Sequence, residues 1–373
     1  MSPSRTRRRA SPAWEGRRVL RVATLPGRSL YARHLSHPEG IDGVHRTTVS
    51  MLGTARREGA FDASWLTDHL DEIDLVHVLG LPPSVGEEAI EGTRAALEAV
   101  RRSGTPLVVT AYHLSDPSGQ DPEAFTRRLS DLLARADAVL TLTDSAADEM
   151  GERWGLAPAV VPHPHAVDFV RMRSPRLDTA GRRRGLRVGT HLGSLRLAVD
   201  AVDFVDALAR AVSATPGAHL RVHLNESVTD PGATAYAPAV VRRIDQLVRS
   251  VNGSLISHRP LTEAQLWDHL SALDVSVVPL VHGSHSVWPE ACADLGTQAV
   301  LPASSHSAHQ STTSLTYQPG GDADATAEAL TRALRLVVEQ QSTPRSDPVA
   351  RWRERVAVCE RHRSLYDSLL GTG

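Results

Sequence analysis

The sequence predicts an α/β protein made of two Rossmann-like domains in tandem, and three observations carry that prediction. Short apolar runs alternate with helical patterns through the first half of the 373-residue chain. The alternation stops at a polar, Arg-rich segment, residues 171–185, and then starts again. Strands separated by helices need right-handed crossover connections, and these produce a parallel sheet.

In chain order, residues 1–17 are polar and basic and read as a disordered tail. The first domain, 18–170, has strand patterns at Val19–Leu25, Leu75–Leu79, Leu107–Ala111, Ala138–Thr143 and Ala159–Val161. Its helical patterns lie at Glu87–Arg102, Pro122–Arg135 and Ser145–Trp154. The linker RMRSPRLDTAGRRRG, 171–185, follows. The second domain, 186–345, has strands at Leu186–Leu192, Leu220–Leu224, Leu255–Ser257, Val275–Leu280 and Ala299–Pro302. Helices fall near Val199–Ser213, Ala237–Ser250, Glu263–Ala272 and Ala325–Gln340. A last segment, 346–373, carries a long helix over Pro348–Leu370, read as having its charge on one face. Neither half has a G-x-G-x-x-G after its first strand, so a dinucleotide dehydrogenase has no anchor here.

Composition removes other classes. A net charge of −2 gives no basic field for nucleic acid. Two cysteines make no disulfide framework and no zinc knuckle. The N-terminus lacks the apolar core of a signal peptide, and no apolar run is long enough to span a bilayer. The expectation is a cytoplasmic protein whose membrane contact is at most peripheral. All 41 basic residues counted as Lys or Arg are Arg. A Walker loop, a pyridoxal Schiff base and a lysine nucleophile are therefore excluded. Any phosphate clamp must use Arg, His or backbone amides.

The most informative stretch is DVSVVPLVHGSHSVWPEACADLGTQAVLPASSHSAHQ, 274–310. It reads as a buried strand, a Gly/Ser/His loop, a short helix beginning at Trp288-Pro289-Glu290 and stopping at Gly296, and a second strand. Glu290 sits in the first helical turn, past the carboxyl end of a strand, where ligands bind in open α/β sheets. Helix-start amides favour an anion, and a carboxylate beside them can hold ribose hydroxyls. The competing reading is that Glu290 only complements the helix dipole. His285 and Ser286 lie in the loop ahead of this helix and are candidates for phosphate or sugar contact. His282/His285 and His306/His309 share a two-residue spacing, but no carboxylate joins them at helical spacing and no metal is expected. His306 and His309 are read as loop polarity. Trp267 and Trp288 are read as core residues that could also stack on a ring.

This layout resembles the donor-binding segment of retaining GT-B glycosyltransferases of family 4, whose pattern is E-x7-E followed by a Gly turn. The string HSVWPEACADLGT is similar to the HSGW-x-EAC-x-DLGT signature of an actinobacterial group. The resemblance covers roughly Arg18 to Tyr366. It implies a GT-B fold, two Rossmann-like domains facing a cleft, with the last helix crossing back to the N-terminal domain. It places Glu290 on the second Glu, which holds the nucleotide ribose, and His282 where the first Glu stands. LRVGTHLGSLR, 186–196, resembles the segment whose Arg and Lys grip the donor pyrophosphate. Here Thr190 replaces that Arg, and Arg196 is one residue beyond the Lys position. Gly189 and Gly193 would let the backbone turn and approach the donor. TAYHLSDP resembles the T-x-H-D segment, with Tyr112 and His113 at its His and Asp positions. The loop after the first strand makes Gly27, Arg28 and Ser29 acceptor-side candidates.

The expected activity is transfer of a hexose from a nucleoside-diphosphate sugar to a small-molecule, peptide or glycan acceptor, with retention. His113, Arg196 and His282 would be catalytic, and no cofactor or metal is implied beyond the sugar nucleotide. The departures at His282, Thr190 and Tyr112–His113 keep open a degenerate protein that binds a sugar nucleotide or a partner without turnover. A sugar-nucleotide epimerase on the same fold is a third reading.

Overall fold

Every residue of the runs LVHV and LVVT is buried, so these strands sit in the middle of a sheet covered on both faces. In the computed structural model, which describes residues 18–26, 29–48, 63–81, 86–174, 185–280, 283–340 and 345–372, they are two of six parallel strands. The N-terminal elements run β1 (Leu20–Leu25), α1 (Leu30–His34), β2 (Val44–Thr48), α2 (Ala63–His69), β3 (Leu75–Val78), α3 (Gly86–Ser103), β4 (Leu107–Thr110), α4 (Pro122–Leu133), β5 (Ala138–Thr141), α5 (Asp144–Trp154) and β6 (Ala159–Val160). Strand order is β2-β1-β3-β4-β5-β6, all parallel. Ile90, Leu97 and Val100 of α3 and Phe125, Leu129 and Leu132 of α4 supply the apolar stripes that cover it.

A short helix, α6 (Phe169–Arg173), precedes the second sheet. Then come β7 (Arg187–Gly193), α7 (Ala201–Ser213), β8 (His219–Asn225), α8 (Pro238–Ser250), β9 (Ser254–His258), α9 (Glu263–Ser271), β10 (Val275–Val277), α10 (Trp288–Leu295), β11 (Gln298–Pro302), β12 (Leu315–Tyr317) and α11 (Ala323–Gln340). The order β12-β11-β10-β7-β8-β9 is again all parallel. The chain leaves β7 toward β8 and β9, then returns to build β10, β11 and β12 on the other side. The β7/β10 boundary is therefore the topological switch point, where such sheets bind ligands.

Punctuation follows local chemistry. Thr262 and Gln265 form a reciprocal capping box at α9, and a cap of this kind contributes about 1 kcal/mol. Asp347 caps α12 (Pro348–Leu370), with Pro at its start and Gly371 in the left-handed conformation at its end. α12 crosses from the second domain to the first: Arg351 pairs with Asp294, while Arg363 donates to the carbonyls of Arg18, Asp42 and Gly43. Its charge is not confined to one face, contrary to the sequence reading. Arg363 and Asp367 are buried beside Val358 and Tyr366, because the helix lies against both domains and needs polar contacts inward as well as outward.

The tail 1–17 and linker residues 175–184 lie outside the described residues. No helix among the described residues is long and apolar enough to cross a membrane.

Candidate functional site at the second sheet's switch point

The carboxyl ends of β7 and β10 open onto a cavity of about 280 Å³. His191 and Gly193 line it from β7, Val277 from β10 with Pro279 just beyond it, and Trp288 from the start of α10 with Ser286 just ahead of it. Arg196 completes the wall, is exposed, and makes no ion pair among the described residues. The loop carrying it is strained at Leu195, whose φ of +63° lies in a region that L-residues other than Asn and Asp rarely enter, while Gly193 takes φ +55° without strain. Leu195 N–H donates to the Leu192 carbonyl, and the amides of Ser194, Arg196 and Leu197 are not engaged by the described residues. A free guanidinium beside free amides is what an anion requires.

The helix start contributes less than expected. Trp288 N–H donates to Ser286 Oγ at 3.1 Å, and Pro289 has no N–H. Trp288 Nε1–H donates to Ser276 Oγ at 2.9 Å, which fixes the indole over the cavity wall. Ser286 is held by Gln310, whose amide bonds both its N–H and its carbonyl at 2.9 Å.

Glu290 does not line the cavity. Two residues beyond Trp288 it points roughly 200° around the helix, toward α12, where it is 2% exposed and ion-paired with Arg351. Arg351 also holds Asp294 at 2.8 Å, and Asp294 Oδ2 accepts the amides of Ala166 and Val167 at 2.7 and 3.0 Å. These groups anchor the chain where it passes between domains. One guanidinium serves two buried carboxylates, so burial outweighs it and pushes Glu290 up to about 7.

The His-rich loop meets the N-terminal domain. Ser284 N–H donates to His113 Nδ1 at 3.1 Å, and Leu114 N–H donates to Ser284 Oγ at 2.8 Å. His285, 4% exposed, bonds the Tyr112 carbonyl through Nδ1 at 2.8 Å and Thr143 Oγ1 through Nε2 at 3.0 Å. In the neutral ring Nδ1–H donates and Nε2 accepts. Burial pushes His285 down to about 3 and His113 to about 4, so both are neutral at neutral pH. His306 adds a contact with Ser145 at 2.9 Å and an ion-pair geometry with Glu149 at 2.7 Å. It is thus an interdomain contact rather than loop polarity. Tyr112 packs edge-on against Tyr31 and His113 at 5.3 and 4.9 Å.

Of the candidates read from sequence, the structure therefore brings Arg196, Gly193 and Ser286 together around the cavity. Tyr112, His113 and His285 form a separate interdomain seam. Ser29 caps α1 by accepting from Ala32 N–H at 3.1 Å. Gly189 is interior to β7, where a Cβ would meet Leu273 at 2.4 Å, so it serves close packing rather than ligand approach. Gly27, Arg28 and His282 lie outside the described residues. Arg351, Asp294 and His191 went unremarked in the sequence. No group of three or more His, Cys, Asp or Glu among the described residues is placed to hold a metal ion.

Among solved structures, the chain is similar to sucrose-phosphate synthase from Thermosynechococcus elongatus, with TM-score 0.63 and 17% identity over 95% of this chain and 100% of that one. It is similar to Anabaena HepE in complex with UDP and glucose, with TM-score 0.63 and 12% identity over 94% and 100%. It is also similar to UDP-GlcNAc 2-epimerase from Neisseria meningitidis bound to UDP-GlcNAc, with TM-score 0.57 and 12% identity over 94% and 100%. No protein-family model and no curated protein matches the chain. At these identities the likeness establishes the fold, two facing parallel-sheet domains of GT-B type.

Proposed function

We propose that this GT-B chain is a glycosyltransferase that takes a hexose from a nucleoside-diphosphate sugar and delivers it to a small-molecule, peptide or glycan acceptor. The observation that carries the reading is the cavity at the switch point, where Arg196 and the neighbouring amides have no partner among the described residues. The donor's diphosphate would lie against Arg196 and the 193–197 loop, with Ser286 and Trp288 on the opposite wall. The strained Leu195 backbone supports a ligand role for that loop. Tyr112 and His113 would stand on the acceptor side. His113 Nδ1 accepts the Ser284 amide, so the neutral ring keeps its proton on Nε2.

Transfer with retention needs no protein nucleophile. The sugar C1–O bond to phosphate breaks as the acceptor oxygen bonds C1 on the same face, and the acceptor's proton passes to the departing phosphate oxygen. Orientation and neutralisation of the leaving diphosphate then dominate catalysis. Arg196 and backbone amides supply that charge without a divalent ion.

Calorimetric titration with UDP-, GDP-, ADP- and dTDP-glucose tests the reading. One donor class should bind, and Arg196→Ala should weaken it by roughly tenfold or more, the worth of a charge-assisted hydrogen bond. Binding of none of them to the wild type would refute the donor site.

A further inference from the structure

Four histidines gather behind the cavity: His191 on β7, His223 on β8, His258 at the end of β9 and His269 on α9. Ring centroids lie 5.2 Å apart for His191 and His258, 5.5 Å for His223 and His258, and 4.0 Å for His223 and His269. Trp288 covers the group, 5.6 Å from His191 and 6.4 Å from His269. His191 is the member that lines the cavity.

Three ring nitrogens here are buried without a hydrogen-bond partner among the described residues: His223 Nδ1, His258 Nε2 and His269 Nε2. In the neutral His258 ring, Nδ1–H donates to the Arg259 carbonyl at 2.7 Å, which leaves Nε2 a bare acceptor. A buried orphan of this kind costs roughly 1–3 kcal/mol, and three in one place require an explanation. They are not arranged as a metal-ligand set.

The electrostatic surroundings are one-sided. The groups acting on His191, His223 and His269 are one another, His258 and Arg221 on β8, all basic. From α10 the neighbour is Trp288, which is uncharged, and across the cavity stands Arg196, which makes no ion pair among the described residues. Burial first, and mutual repulsion second, push His223 down to about 3 and His191 and His269 to about 4. His191, His223 and His269 are therefore basic, neutral and without a counter-anion among the described residues.

We propose that this cluster couples donor binding to proton uptake, with His191 as the residue that meets the diphosphate. A nucleoside-diphosphate sugar seated against Arg196 draws one proton from solvent onto the cluster. The resulting imidazolium at His191 donates a hydrogen bond to a phosphate oxygen, and the proton returns to solvent on release. The inference rests on the donor-site reading above. Because the bound state holds the proton more tightly than the free state, affinity rises as pH falls, up to tenfold per pH unit for one proton.

The test is calorimetry of UDP-, GDP-, ADP- and dTDP-glucose between about pH 6 and pH 8, in two buffers of different ionisation enthalpy. The diphosphate diester does not titrate in this range, so any proton taken up goes to the protein. Wild type should take up as much as one proton per ligand, and its affinity should fall several-fold per pH unit on raising the pH. His191→Gln, which keeps a donor but cannot be charged, should bind without uptake and with a flat pH profile. Equal enthalpies in both buffers, or uptake unchanged in His191→Gln, would overturn the coupling and leave the donor site standing. Absence of binding by wild type would remove both together. If His191→Gln fails to fold, His191→Asn takes its place in the two-buffer comparison, with the same expected and overturning results.

Discussion

Glu290 shows how one residue's surroundings reassign it. Its partner Arg351 is 61 positions away in sequence, so spacing near the 274–310 stretch carries no trace of the pair. Reading the helix start by pattern gives a carboxylate near a ligand site. Folding α12 back turns that carboxylate into a structural group. The pH consequence has a definite sign. Glu290 is pushed up to about 7 in the folded chain from an ordinary value of 4.5, so the folded state binds the extra proton between those limits. Stability therefore falls as pH rises from about 4.5 to about 7, by up to about 3 kcal/mol from this group. Urea denaturation across that window should show the decline, and Glu290→Gln should flatten it. Arg351→Met leaves Glu290 and Asp294 buried without their cation, and should cost about 3–5 kcal/mol at neutral pH. A Glu290→Gln protein that keeps the wild-type pH slope would show that the proton sits elsewhere.

Among the elements, those with a long periodic face were legible and those defined by tertiary pairing were not. The α12 bounds read from sequence, Pro348–Leu370, are those of the structure, because Asp347, Pro348 and Gly371 mark both ends chemically. β2 (Val44–Thr48) and β12 (Leu315–Tyr317) were missed: each is an edge strand paired on one side, with too few apolar positions to show a pattern. The seam loop was legible as a site-facing loop but not as an interdomain contact, since its partners Tyr112 and Thr143 lie in the other sheet's loops. Gly283 makes that contact possible. It has φ +89°, and a Cβ there would stand 2.8 Å from His113 Nδ1. Gly283→Ala should therefore lower stability by about 1–3 kcal/mol and displace the His113 ring from the Ser284 amide. His113 is held down to about 4 by burial, so opening the seam should return it toward the ordinary imidazole range. Imidazole NMR titration of wild type and Gly283→Ala measures this; an unmoved His113 would mean that the loop absorbs the methyl without opening.

At the scale of the molecule, two domains with separate sheets need not unfold together, and α12 is the element that decides whether they do. Its first turns hold the second domain and the interdomain segment through Arg351, which is bound to Glu290 and Asp294. Its last turns enter the first domain, where Tyr366 Oη meets His77 Nδ1 at 2.7 Å and Arg46 at 3.1 Å. Arg363 closes that end with three backbone carbonyls and Asp367, at 2% side-chain exposure. Neither domain is complete without the helix, which is the physical sense in which the tandem sheets become one protein. The sequence foretold two sheets and a terminal helix from periodicity, but the coupling resides in arginines that periodicity marks only as polar. Wild type should therefore unfold in urea as a single transition, coincident by far-ultraviolet circular dichroism and tryptophan fluorescence. Arg363→Met takes the cation away from the buried Asp367 of α12 and the donor away from three first-domain carbonyls, a loss of about 3–5 kcal/mol, while leaving the Arg351 anchor intact. The first domain should then melt at lower urea than the second, splitting the transition in two. A single transition merely shifted to lower urea would instead place the coupling in the interdomain seam of Tyr112, His113 and His285, and the Gly283→Ala protein would then be the variant that separates the domains.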